Sequence, residues 1–155
     1  QVLFFKAERL LVLGDLSHSR SNKELDLFIK WRKDLPLLEV VLVKGNHDIL
    51  EETWYQEADI RLVHDRLIEE NLCFQHDGER VEINNEVLYT FTGHIHPGIH
   101  IRGMGKQSLR FPCFYFTEDI CVLPAFSQFT GLAAVKPRPG HHVFAIVEKE
   151  IIQVQ

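Results

Sequence analysis

The chain has 155 residues, of which 45% are hydrophobic and 25% charged, and its formal net charge is −5 at pH 7. That length suits one domain, able to bury roughly 68–70% of its unfolded surface. The acidic balance argues against unspecific coating of nucleic acid, and no run approaches the ~20 apolar residues of a membrane span. A cytoplasmic protein with no membrane partner is expected.

Residues 1–9 read as the end of a helix or a connector feeding a first strand, Leu10–Leu13. After a polar loop, Ser21-Asn22-Lys23-Glu24 fits a capping box. Leu25, Phe28, Ile29 and Arg32 then mark one face of a helix over 22–33. Pro36 follows its end, and Val40–Val43 reads as a second, buried strand. Strand, helix and strand make a right-handed βαβ unit with parallel strands.

From Ile60 onward the texture is of short strands. They are expected at Ile60–Val63, Leu67–Glu69, Leu72–Gln75, Val87–Thr92, Ser108–Phe116, Ile120–Leu123, His142–Val147 and Ile151–Val154. Pro112 within the longest of them predicts an edge or a bulge. The pattern predicts an α/β (α+β) fold: one domain over residues 1–155, with two sheets packed face to face and helices outside. Cys73, Cys113 and Cys121 are widely spaced among apolar neighbours, which predicts reduced thiols in strands rather than a disulfide framework or a zinc knuckle.

Three strands end the same way. Leu10–Leu13 runs into Gly14-Asp15-Leu16-Ser17-His18, Val40–Val43 into Lys44-Gly45-Asn46-His47-Asp48, and Leu88–Thr92 into Gly93-His94-Ile95-His96-Pro97. A fourth, Cys73-Phe74-Gln75, leads to His76-Asp77. Strands that deliver polar loops to a sheet's carboxyl edge are how α/β enzymes present chemistry. Asp15, Asn46, His76, His94 and His96 supply oxygen and imidazole donors, a set that suits Mn²⁺, Fe²⁺ or Zn²⁺. His94 and His96 are expected to project to one side of an extended segment. A carboxylate can bridge two cations, which makes Asp15 the natural shared ligand. A bound divalent ion lowers the pKa of water from 15.7 to about 7, and a pair of ions can clamp a phosphoryl group. His47 is then left to protonate the leaving oxygen, and Asp48 to orient that imidazole. His18 has two readings, a substrate contact or a helix entry, and Arg20 is its companion in the same loop.

The motifs Gly14-Asp15-Leu16-Ser17-His18, Gly45-Asn46-His47-Asp48 and Gly93-His94-Ile95-His96-Pro97, in this order, resemble those of calcineurin-like metallophosphoesterases. The stretches 98–100, 105–114 and 123–131 narrow the resemblance to the bacterial DNA ligase-associated metallophosphoesterases. That resemblance implies that Asp15 bridges two metals and that Asn46, His76 and His94 complete one site. It implies that His96 belongs to the other and that His47 assists catalysis. It further implies manganese-dependent phosphodiester or DNA-end chemistry, in the company of a ligase and a helicase in DNA repair. The substrates expected are phosphodiesters at DNA or RNA ends, or cyclic nucleotides. The family's upstream Asp-x-His motif has no counterpart in residues 1–14. The chain is therefore expected to be amino-terminally truncated and to lack the first strand unit. One metal would have four ligands and the other only Asp15 and His96. Two consequences are expected: an open sheet edge that a second copy fills, and weakened catalysis. The latter opens an alternative role as a binding or scaffold module in a ligase–helicase assembly.

Arg20, Lys23, Arg102, Lys106 and Arg110 would form a phosphate-attracting rim or else an ordinary mixed-charge surface. Phe126 and Phe129 are expected to pack in the core, with base stacking as the rival reading. His64, His141 and His142 are expected to be solvated.

Overall fold

The computed structural model describes residues 1–18, 23–79, 81, 83, 86–103, 108–127 and 130–155. The chain forms two compact units, Gln1–Leu67 and Ile68–Gln155.

The first unit runs α1 (Val2–Phe5), β1 (Arg9–Leu13), α2 (Lys23–Asp34), β2 (Glu39–Val43), α3 (Glu52–Glu57) and β3 (Ile60–Val63). Its three strands lie in the order β1-β2-β3, all parallel, with Leu13 beside Val43 and Val43 beside Val63. The expected βαβ unit is present. Every residue from Val40 to Val43 is at most 1% exposed, which accounts for an unbroken apolar run in place of alternation. On one face Val40 and Leu42 join Leu25, Leu38, Leu50, Tyr55, Ala58 and Ile60 in a core, against which Phe28, Ile29 and Trp54 pack. Among the described residues β1 pairs only with β2, so it is the edge of this sheet. The capping box at Ser21 lies outside the described residues.

Arg32, on the apolar face of α2, is only 4% exposed. A buried guanidinium is tolerable only when its donors are satisfied. Here Nε donates to the Ala58 carbonyl at 3.2 Å, Nη1 to the Leu35 carbonyl at 3.0 Å, and Nη2 to the Asp59 carboxylate at 2.9 Å. These bonds fasten the end of α2 to the turn that follows α3. Arg32→Met is expected to destabilise the protein by about 2–4 kcal/mol, because buried carbonyls lose their donor. Urea unfolding checks this, with Asp59→Asn as comparison. The Asp59 side chain is 84% exposed, so its loss should cost far less.

The second unit is a single mixed sheet. β4 (Arg66–Glu69) carries the chain across from the first unit. It is followed by β5 (Leu72–Gln75), β6 (Tyr89–Thr92), β7 (Pro97–Arg102), β8 (Ser108–Phe116), β9 (Ile120–Val122), β10 (Ala133–Ala134), β11 (His142–Val147) and β12 (Glu150–Gln153). The order is β10-β7-β8-β9-β6-β5-β4, with β11 joined to β8 and β12 to β11. Residues 108–112 of β8 pair with β7 and residues 113–116 pair with β11. Pro112, which has no N–H to offer a ladder, sits at that change of partner. Cys73, Cys113 and Cys121 are buried, unbridged strand residues. Burial pushes the Cys113 thiol up to about 11 and the Cys121 thiol up to about 12, so both are inert as nucleophiles near neutrality.

Candidate metal centre

In the first unit, parallel register brings two loops out at one edge of the sheet. β1 stops at Leu13; Gly14 (φ 77°) and Asp15 (φ 56°) then turn through the left-handed region. Glycine enters that region without penalty and aspartate tolerates it. β2 stops at Val43, and Lys44-Gly45-Asn46 follows alongside. The two loops touch so closely that a Cβ on Gly45 would lie 2.4 Å from Asp15 Oδ1 and 2.5 Å from the Asp15 nitrogen. The His47 backbone N–H donates to Asp15 Oδ1 at 3.0 Å.

Asp48 fastens the arrangement. It is 1% exposed, and its Oδ2 accepts from the backbone N–H of Asp15 and of Gly45, each at 2.8 Å. Its Oδ1 accepts from the Ser17 N–H at 3.3 Å. The expectation that Asp48 orients the His47 imidazole is thus corrected: the carboxylate is turned inward onto three main-chain donors. Asn46 and His47 are exposed at the loop surface. The His18 and His47 rings lie 4.7 Å apart, tilted by 31°.

The second unit repeats the device. β5 and β6 are parallel, with Phe74 beside Phe91, and both run out at the same edge. There the Gly93 N–H donates to the His76 carbonyl at 3.0 Å. His76 is 7% exposed, whereas His94 is open to solvent. His76 Nε2 and His94 Nδ1 are 3.0 Å apart, with ring planes at 77°. One nitrogen must donate and the other accept. The same spacing is about what two imidazoles show when they flank one cation at ~2.0–2.1 Å.

His94 (φ 63°) and His96 (φ 50°) both adopt the left-handed conformation. The segment between β6 and β7 is therefore not extended, and the side-by-side projection expected of the pair does not hold. Three of the five expected ligand residues occupy this region, a conformation that costs about 1–3 kcal/mol each and concentrates at functional sites.

The remaining expectations divide. Arg20, Lys106 and Phe129 lie outside the described residues. Lys23 opens α2 and Arg102 ends β7, both exposed. Arg110 is engaged locally: its Nε donates to His100 Nε2 at 3.0 Å and its Nη1 to the Leu132 carbonyl at 2.8 Å. Phe126 is 107% exposed, so the core position expected for it is corrected. His141 is not simply solvated either, since its Nδ1 lies 2.6 Å from the Tyr115 hydroxyl. His64 is exposed and faces Glu52 at 3.7 Å.

No protein-family model matches the chain, and no curated protein matches it. Among solved structures it is similar to the Pseudomonas putida nuclease MPE, with a TM-score of 0.75 at 32% sequence identity, over 89% of this chain. The chain shares the fold of that structure. The chain spans 66% of that nuclease's length. The two-sheet α/β architecture expected from the strand pattern holds, and the donor groups at the strand ends are of the kind that bind divalent metals. No helix among the described residues is long and apolar enough to cross a membrane.

Proposed function

We propose that this chain is a metal-dependent phosphoesterase of the calcineurin-like class, related to the DNA ligase-associated enzymes, and that it hydrolyses phosphodiesters at nucleic-acid ends. The reading rests on one observation above others: a fold shared with a nuclease carries a hydrogen-bonded histidine pair, His76 and His94, where two parallel strands run out together. By the resemblance to that class, Asp15, Asn46, His76 and His94 would hold one cation, with His96 and Asp15 serving another. Two oxygens and two imidazoles fit manganese, with iron or zinc as substitutes.

When bound, the metal supplies Lewis acidity toward the phosphoryl oxygens and lowers the pKa of water. The protein's own groups do the rest. Without a cation, His76 and His94 share a hydrogen bond between ring nitrogens 3.0 Å apart; with one bound, the same two nitrogens would turn their lone pairs to it, so the buried His76 keeps His94 close to the place where it would ligate. Asp15 is held by the His47 main chain, which fixes where its negative charge sits. The exposed His47 ring donates a proton to the departing ester oxygen. His18 and Arg20, from the loop after β1, contact the substrate phosphate. A role beside a ligase and a helicase in DNA repair follows from the resemblance.

The expected result is hydrolysis of bis(p-nitrophenyl) phosphate and of DNA with Mn²⁺, abolished by a chelator and restored by readdition. His76→Ala should lower Mn²⁺ affinity by more than the roughly 10–100-fold typical of residues that merely support a ligand, with activity falling in step. Full activity after exhaustive chelation would sink the reading, and so would unchanged Mn²⁺ affinity in His76→Ala.

A further inference from the structure

Within the first unit, a carboxylate oxygen of Asp15 and one ring nitrogen each of His18 and His47 all lie within 4.8 Å of one another. None of the three comes from the sheet of the second unit. The backbone beneath them is already set: Asp48 accepts from the N–H groups of Asp15, Gly45 and Ser17, the residue just before His18. Both imidazoles are solvent-accessible, so their χ angles can turn without repacking a core. Ligand atoms around a tetrahedral cation at ~2.0–2.1 Å stand about 3.3 Å apart. The three atoms start within 4.8 Å of one another, and the two rings that would have to turn to close the remainder are both exposed.

We propose that Asp15, His18 and His47 form a further cation site, distinct from the two already given to Asp15, that takes zinc in preference to manganese and silences the enzyme when filled. Two imidazoles and one carboxylate are the donor set of three-ligand zinc sites, whose fourth position is left to water. Such nitrogen-rich sites bind zinc more tightly than manganese in the order of divalent stabilities. A His47 ring that coordinates a cation through one nitrogen cannot become the imidazolium that would protonate a leaving oxygen, and the N–H left on its other nitrogen is a far weaker acid. The binding claim stands on the three side chains alone; the silencing claim rests on the hydrolytic role given to His47 above.

The test separates the two. A His76→Ala/His94→Ala chain removes the imidazoles of the manganese site. By equilibrium dialysis it should still hold one zinc ion, and Co²⁺ in place of zinc should give a histidine-ligated visible band. Adding His18→Ala should weaken that zinc about tenfold or more and remove the band, with the circular dichroism spectrum unchanged. Loss of all zinc in the double variant would overturn the site, as would zinc affinity indifferent to His18. In Mn²⁺-supported hydrolysis, zinc should inhibit the natural chain. The half-inhibiting concentration should rise about tenfold or more in His18→Ala, measured against that variant's own zinc-free rate. Equal inhibition of both would overturn the silencing. If no diester is hydrolysed by the natural chain, it is the hydrolytic reading that fails, and the dialysis result still decides the site.

Discussion

Asp48→Ala is expected to cost about 3–5 kcal/mol of folding stability and to abolish tight metal binding together. The carboxylate is the common acceptor for three backbone N–H groups from two different loops. Bonds to a charged acceptor are worth about 1.5–3 kcal/mol each, and they do not add fully when they share one group. Truncation leaves three donors facing an apolar methyl in a position only 1% exposed. The Gly45 and Ser17 bonds are buried, so water reaches those donors only through a local opening, and an opening there separates the Asp15 loop from the Gly45 loop. Asp48→Asn keeps the shape and one accepting oxygen but aims an NH₂ group at another donor, so roughly half the loss is expected. Urea unfolding at fixed metal concentration, with Mn²⁺ affinity measured on the same samples, gives both readings. A variant within 1 kcal/mol of the natural chain, binding Mn²⁺ as before, would show that the three bonds are dispensable.

The role found for Asp48 also shows where sequence reading stops. That a strand would end at Val43 and a polar loop follow was legible from Val40–Val43, because a strand buried on both faces needs an unbroken apolar run. The βαβ unit followed from Leu25, Phe28 and Ile29 at helical spacing, and the strands from 60 to 75 from short runs bounded by turn residues. The candidate ligands stood out for the same reason: each polar group came directly after a run that had to be buried. Which way a side chain turns within such a loop is another matter. Asp48 adjoins His47 in the chain, so orienting that imidazole is the natural assignment. In the fold the carboxylate accepts from Gly45, three positions earlier, and from Ser17 and Asp15, 31 and 33 positions earlier; the latter two are nonlocal contacts that no spacing encodes. The left-handed φ of His94 and His96 was hidden likewise, since Gly93 and Pro97 signal a turn but not its handedness. β7 lies outside the strands expected above although its pattern is legible: Ile99 and Ile101 alternate with His100 and Arg102, a strand's period of two. Phe126 misled for an ordinary reason, because a large aromatic is usually buried and the exception carries no mark in the sequence.

Gly45→Ala tests the close approach of the two loops directly and should be strongly damaging. The added carbon would sit 2.4 Å from Asp15 Oδ1, 2.5 Å from the Asp15 nitrogen and 3.0 Å from Gly14 Cα. Two of those three atoms are main chain and cannot rotate away. The third is the carboxylate oxygen that accepts from the His47 N–H. Relief therefore requires the Asp15 loop to move by the better part of an ångström, which breaks the bonds from Asp15 and Gly45 to Asp48. Overpacking typically costs 1–3 kcal/mol where side chains can yield, so about 3 kcal/mol or more is expected here, where they cannot. Mn²⁺ affinity should fall with it, because Asp15 can no longer be aimed from the same place. Gly103→Ala is the matched control: a Cβ there meets nothing within 4 Å, and alanine narrows the unfolded ensemble, so stability should hold or rise slightly. Thermal unfolding and metal titration of the pair give the comparison. Equal behaviour of the two variants would mean that the loops have room between them, and that Asp15 is positioned by something other than this contact.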